Sequence, residues 1–216
     1  MPAPSAAKRP KKLPKPKGKK IGLLGGSFNP AHEGHLHISL LALKLMGLNE
    51  IWWLVSPQNP LKSTEDMAPL NVRLQSAKEV AQHKSITPMA LEDTLGTQYT
   101  IDTLRALKTH YPDTSFVWIM GADNLVQFSK WKDWEAIFSL VPIAVFDRAP
   151  ASGKAAKSDA AMAFSESRLA PFEAKKLVLK KAPAWIYFST PQNPTSATAI
   201  RNARTKNKKG ALHDKR

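Results

Sequence analysis

His32 and His35 stand three residues apart in the stretch GGSFNPAHEGHL, residues 25–36. An imidazole donates a hydrogen bond from one ring nitrogen when neutral and from both when charged, so such a pair suits phosphate oxygens. Gly25 and Gly26 precede it and let the backbone turn tightly and come close to a ligand. A helix starting near Glu33 would add unpaired N–H groups and a partial positive charge, a natural seat for phosphate. A metal site fits less well. HEGH is not the H-E-x-x-H pattern, whose histidines lie four apart on one helix face, and Gly34 between the two points to loop. The chain has no cysteine, so thiolate sites are excluded, and no metal held by protein side chains is expected. The dinucleotide fingerprint G-x-G-x-x-G is absent, the chain offering G-x-x-G-G instead, and so is the P-loop G-x-x-x-x-G-K-[ST]. Taken alone, the stretch reads either as a phosphate cradle or as a polar strand-to-helix turn with surface histidines.

The elements that must position it are legible as apolar runs. KIGLLGG (20–26), EIWWLVSP (50–57), SITPMAL (85–91), SFVWIMG (115–121), VPIAVFDR (141–148) and PAWIYFST (183–190) read as short strands, nearly all apolar. Helical spacing lies between them. Leu36, Leu40, Leu43 and Met46 mark one face, with Gly47 as its C-cap. PLNVRLQSAKEVAQH (69–83) is a second helix. TQYTIDTLRALKTHYP (97–112) is a third that stops before Pro112, and SATAIRNARTK (196–206) closes the series. Strands alternating with helices predict an α/β fold, a Rossmann-like open parallel sheet with helices on both faces. Ligands of such sheets bind beyond the carboxyl ends of the strands, where residues 25–36 lie.

The length, 216 residues, suits one domain. Its net charge of +15 is concentrated at the ends. Residues 1–20 carry eight Lys/Arg and no acid, residues 201–216 carry seven with one acid, and the 180 residues between are near +1. The expected organisation is a solvated Pro/Lys-rich tail over 1–19, a domain over 20–206 with an irregular, partly helical segment at 150–182, and a basic tail over 207–216. No apolar run is long enough to span a bilayer, and no apolar stretch follows the basic N-terminus as a secretory signal requires. A cytoplasmic protein is expected, with neither a membrane nor a specific nucleic acid as partner.

SFNPAHEGH together with TSATAIR (195–201) resembles the nucleotidylyltransferase superfamily, in which an [HT]-x-G-H motif follows the first strand and an I-S-S-T-x-I-R motif opens a late helix. SPQNPLK (56–62), GTQYTIDTL (96–104), IMGADNLVQFSKWKDWEAI (119–137) and FDRAP (146–150) are similar to stretches of its bacterial nicotinate mononucleotide adenylyltransferases. The resemblance covers residues 20 to about 206. It implies joining of nicotinate mononucleotide to the AMP part of ATP, giving deamido-NAD and pyrophosphate, with Mg²⁺ bridging phosphate oxygens.

The resemblance also implies roles. His32 and His35 would hold the ATP phosphates, with Gly25, Gly26, Ser27 and Phe28 along the nucleotide channel. Gly121 and Asp123 would complete the ATP site, Asp123 touching a ribose hydroxyl or the nucleotide amide region. Ser196, Thr198 and Arg201 would meet the β- and γ-phosphates. For the acceptor, Lys62 and Asn59 would take its phosphate, Thr100 its carboxylate, Trp131 its pyridine ring, and Arg148 a phosphate contact. Three positions depart from the pattern: Asn29 where Asp is commoner, Leu61 in place of a His, and Ala197 in place of a second Ser. The rival readings are a related adenylyl- or cytidylyltransferase using nicotinamide mononucleotide or phosphopantetheine, and an RNA-binding protein using its basic ends.

Overall fold

A computed structural model describes residues 13–57, 67–147 and 152–189. Seven strands run β1 (Lys20–Gly26), β2 (Glu50–Val55), β3 (Ile86–Met89), β4 (Ser115–Gly121), β5 (Ile143–Phe146), β6 (Arg168–Leu169) and β7 (Trp185–Phe188). They form one sheet in the order β3-β2-β1-β4-β5-β7-β6, and every pairing is parallel. The chain moves outward from β1 to β3 on one side, then returns to build the other side from β4. The topological switch point therefore falls between the carboxyl ends of β1 and β4, where open parallel sheets bind ligands.

The sheet is covered on both faces, which is why its strands read as continuous apolar runs rather than alternating ones. Trp52 and Trp53 are neighbours on β2, and the pleat sends them into opposite cores. On one face Leu23, Trp52, Trp118 and Val145 pack against α4 (Thr100–His110) and α6 (Trp134–Leu140). On the other, Leu24, Trp53, Val117 and Ile186 pack against α1 (Glu33–Met46) and α2 (Leu70–Val80).

α1 ends at Gly47, as expected, in the left-handed conformation (φ 63°, ψ 39°). Of its predicted face, Met46 is buried and Leu36 and Leu43 pack partly buried against the core, whereas Leu40 is 40% exposed. Ser39 and Ala42 are buried as well, small residues that let the helix sit close to the sheet. The short α3 (Leu91–Leu95) and α5 (Ala122–Val126) have no sequence period long enough to read.

Residues 152–181 are partly helical, as expected, and more closely packed than an irregular segment implies. They hold α7 (Ser152–Ala155), α8 (Asp159–Ala163), the edge strand β6 and α9 (Ala174–Leu177). Ala155, Ala160, Ala161, Ala174 and Leu177 are buried, so alanines that look featureless in the sequence serve as close-packing residues. Residues 13–19 also run against the body instead of standing off it. Leu13 packs on the core, the Tyr111 hydroxyl donates to the Pro14 carbonyl at 2.7 Å, and Lys17 N donates to Glu50 Oε2 at 3.2 Å. The helix expected over 196–206, the tail 207–216 and residues 1–12 lie outside the described residues.

Candidate active site

The loop between β1 and α1 carries the histidine pair. His32 is the N-cap of α1, and His35 its third residue. Gly34, expected in a loop, therefore belongs to the helix's first turn. His32 Nδ1 accepts from Gly34 N at 3.1 Å, and His35 Nδ1 accepts from His32 N at 3.2 Å, a reciprocal box at the helix start. A nitrogen that accepts from a backbone N–H carries no proton. Both neutral rings are thus set as the Nε2–H tautomer, with Nε2 as donor. The rings lie 3.9 Å apart at 41°, at the end of the helix that carries the positive pole of its dipole. Two fixed donors and a helix start on one spot suit a polyphosphate.

Packing holds the pair from behind. Phe28 is 1% exposed, lies 4.6 Å from the His35 ring and stacks on Trp53 at 5.1 Å and 20°. It takes a left-handed φ of 46°, rare for a bulky residue and sustained only by surroundings that over-determine it. The tight conformation expected of the glycines thus falls on Phe28. Gly25 is needed for another reason: a Cβ there would collide with Trp118 Cη2. The Trp53 indole N–H donates to Ser39 Oγ at 2.8 Å, and Ser39 Oγ donates to the His35 carbonyl at 2.7 Å. Strand β2 and helix α1 are tied together behind the site by that relay.

Across the switch point, Gly121 caps α5, and Asp123 is exposed in its first turn. Thr100 is the first residue of α4. Trp131 follows the short turn Phe128–Lys130, packing edge-on to Trp118 at 6.2 Å and against Phe128 at 4.8 Å. Its Nε1 is buried with no hydrogen-bond partner. The Thr100 and Trp131 segments are brought together by Lys132, whose Nζ lies 4.6 Å from the Tyr99 ring centroid and 3.1 Å from Asp102 Oδ2. Contacts thus run from Gly25 through Trp118 to Trp131. Asn59, Lys62, Arg148, Ser196, Thr198 and Arg201 lie outside the described residues, as do Leu61 and Ala197. Among the described residues no cluster of three or more His, Asp or Glu could hold a metal ion, and no helix is long and apolar enough to cross a membrane.

Two residues behind the site, Arg73 and Glu92, were not singled out in the sequence. Arg73 of α2 is 2% exposed. Its Nε donates to the Ala68 carbonyl at 2.7 Å, Nη1 to those of Ser27 at 2.6 Å and Ser56 at 2.7 Å, and Nη2 to that of Pro57 at 2.8 Å. Its signal was available: Leu70, Arg73, Leu74 and Ala77 share one helical face, and a cation on such a face needs an explanation. Glu92 of α3 is 6% exposed. The Ser56 hydroxyl donates to its carboxyl, and burial nevertheless raises its pKa from 4.5 to about 7. Glu92 Oε2 has no hydrogen-bond partner. Asn29, one of the three departures, accepts from Ala68 N at 3.3 Å through Oδ1, a task an uncharged amide oxygen performs.

A parallel doubly covered sheet with donor histidines at its switch point defines a nucleotide-binding transferase of the cytidylyltransferase-like class, whose family model matches residues 23–203. A probable nicotinate-nucleotide adenylyltransferase of Parvibaculum lavamentivorans is 50% identical over 184 residues, covering 85% of this chain and 92% of that protein. One from a Caulobacter species is 46% identical, covering 87% and 99%. The chain belongs to the nicotinate-nucleotide adenylyltransferase family. Its fold is also that of the Plasmodium falciparum nicotinic acid mononucleotide adenylyltransferase complexed with NaAD, at a TM-score of 0.61 and 19% identity, covering 86% of this chain and 83% of the other.

Proposed function

We infer that this chain transfers the adenylyl group of ATP to nicotinate mononucleotide. A phosphate oxygen of the mononucleotide bonds to the α-phosphorus of ATP, the bond from that phosphorus to the bridging oxygen breaks, and pyrophosphate leaves with deamido-NAD as product. The observation that carries the reading is the fixed Nε2–H pair of His32 and His35 at the start of α1, in a chain whose relatives at 41–50% identity bear this activity in their names.

The nucleophile is already ionised, so no general base is needed, and the residues contribute alignment and charge stabilisation. His32 and His35 donate to oxygens of the reacting phosphate as negative charge builds there. Ser27, with the Gly25–Gly26 backbone, borders the phosphate chain, and Phe28 backs His35. Gly121 and Asp123 stand where the nucleoside enters at the end of β4. Ser196, Thr198 and Arg201 meet the β- and γ-phosphates. Thr100 receives the nicotinate carboxylate, the exposed side of Trp131 stacks on the pyridine ring, and Asn59, Lys62 and Arg148 meet the acceptor phosphate. Mg²⁺, when bound with ATP, would supply further charge neutralisation and would require few protein ligands, which suits a site built from donors.

The test is turnover of ATP with nicotinate mononucleotide, nicotinamide mononucleotide and phosphopantetheine side by side, in wild type and in His35→Ala. Nicotinate mononucleotide is expected to be the best acceptor. The variant is expected to lose at least about 100-fold in rate with its fold intact, as for removal of one key transition-state donor. A different best acceptor, or a near-normal variant, refutes the reading.

A further inference from the structure

Three loops meet at one side chain. The β1–α1 loop begins at Ser27, the exit of β2 runs through Ser56 and Pro57, and the approach to α2 passes Ala68. A carbonyl from each accepts from the Arg73 guanidinium within 2.8 Å. All these acceptors are backbone carbonyls, and burial lowers the group's pKa from its ordinary value by desolvation. An arginine is not deprotonated in such a setting. A buried charge satisfied only by loop carbonyls is a costly way to achieve stability alone, since its desolvation offsets much of what the bonds return. Its fork geometry does achieve something an apolar side chain cannot: it fixes separate backbones to one rigid plane.

Two further bonds run the same way. Asn29 Oδ1 accepts from Ala68 N at 3.3 Å, and Ser56 N donates to the Gly26 carbonyl at 3.0 Å. The loop that leads to the histidines is thereby tied to the residues that precede 58–66 in the chain, where Asn59 and Lys62 stand.

We propose that Arg73 is a positioning residue for the transfer reaction: its guanidinium sets the register between the phosphate-side loop at Ser27 and the acceptor-side segment at Ser56–Pro57. It touches neither substrate. That the Ser56–Pro57 segment serves the acceptor, and which acceptor it is, rests on the function inferred above; the hydrogen bonds that join the loops do not.

The experiment compares wild type with Arg73→Lys and Arg73→Gln. Lysine keeps the charge but lacks the planar fork, and glutamine keeps a short donor without charge. Kinetic constants for ATP and for the acceptor are measured below each variant's melting midpoint. Loss of register raises both KM values at least about tenfold and lowers kcat, less in lysine than in glutamine. A merely structural arginine leaves fewer active molecules, with a lower apparent kcat and both KM values unchanged, and that result overturns the proposal.

The wild-type protein supplies a second measurement that no folding failure can remove. With ¹⁵N-labelled arginine, the Arg73 Nε–H resonance is expected to shift on adding α,β-methylene-ATP and, separately, nicotinate mononucleotide. A resonance that moves with neither refutes the clamp. If wild type prefers phosphopantetheine, the function inferred above fails, and the clamp is tested with that acceptor by the same measurements.

Discussion

A backbone N–H pointed at each Nδ1 decides which nitrogen of His32 and His35 holds the proton, and residue-level chemistry follows from such small constraints. Glu92 shows the same logic applied to a carboxyl. Its ordinary pKa of 4.5 is raised to about 7 by burial, which outweighs the Ser56 hydrogen bond. Between those values the unfolded chain loses a proton that the folded chain keeps. Stability therefore falls as pH rises from about 4.5 to about 7 and is level above that. A tenfold change in proton affinity is worth about 1.4 kcal/mol, so the full swing is at most about 4 kcal/mol. Glu92→Gln removes the swing. In urea denaturation at pH 5, 6, 7 and 8, the variant is expected to gain on wild type steadily up to pH 7. Any constant cost of the amide drops out of that comparison, and parallel profiles for the two proteins would contradict the assignment.

Elements bring such residues together, and here helix α1 and strand β2 are joined by a relay that the sequence does not advertise. Ser39 is fully buried, accepting from the Trp53 indole and donating to the His35 carbonyl. Ser39→Ala leaves the indole N–H in an apolar core with no acceptor, a cost of about 1–3 kcal/mol. Chemical denaturation is the direct check, and a loss below about 0.5 kcal/mol would mean that the indole finds another partner. Strand runs and the longer helices were legible because burial on both faces makes β-strands uniformly apolar and helix caps leave local marks, as at Gly47. The face of α1 was legible only in part: Met46, Leu36 and Leu43 pack on the core, but Ser39 and Ala42 are chosen for closeness rather than for hydrophobicity. Gly25 was read as room for a ligand, while the atom that forbids a side chain there belongs to Trp118, more than ninety residues away. Arg73 was passed over because its acceptors are carbonyls, which every residue has. The histidine pair was legible because its spacing and its place after the first strand are both local.

At the scale of the whole molecule, charge and order part company at the N-terminus. Composition marks residues 1–19 as one solvated tail, yet the part from Leu13 onward closes the end of the sheet opposite the histidines. Glu50 is 2% exposed. It accepts from Thr87 Oγ1 at 2.6 Å and from Lys17 N at 3.2 Å, and the Lys17 ammonium stands 3.8 Å from its Oε1 while bonding the Lys84 carbonyl at 2.8 Å. Tyr111 loses its only described acceptor if Pro14 is removed. Deleting residues 1–12 takes away none of these contacts and is expected to leave both stability and adenylyl transfer unchanged. Deleting 1–17 strips a buried carboxylate of its cation and uncovers the core beneath Leu13. An unpaired buried group costs about 1–3 kcal/mol, more when it is charged, so this deletion is expected to lower stability by about 3 kcal/mol. Turnover per folded molecule should hold, because the histidines sit at the far ends of the strands. Melting curves and specific activities of the two truncations separate these effects: equal stability would return residues 13–17 to the tail, whereas a changed KM in the longer deletion would mean that the two ends of the sheet are coupled.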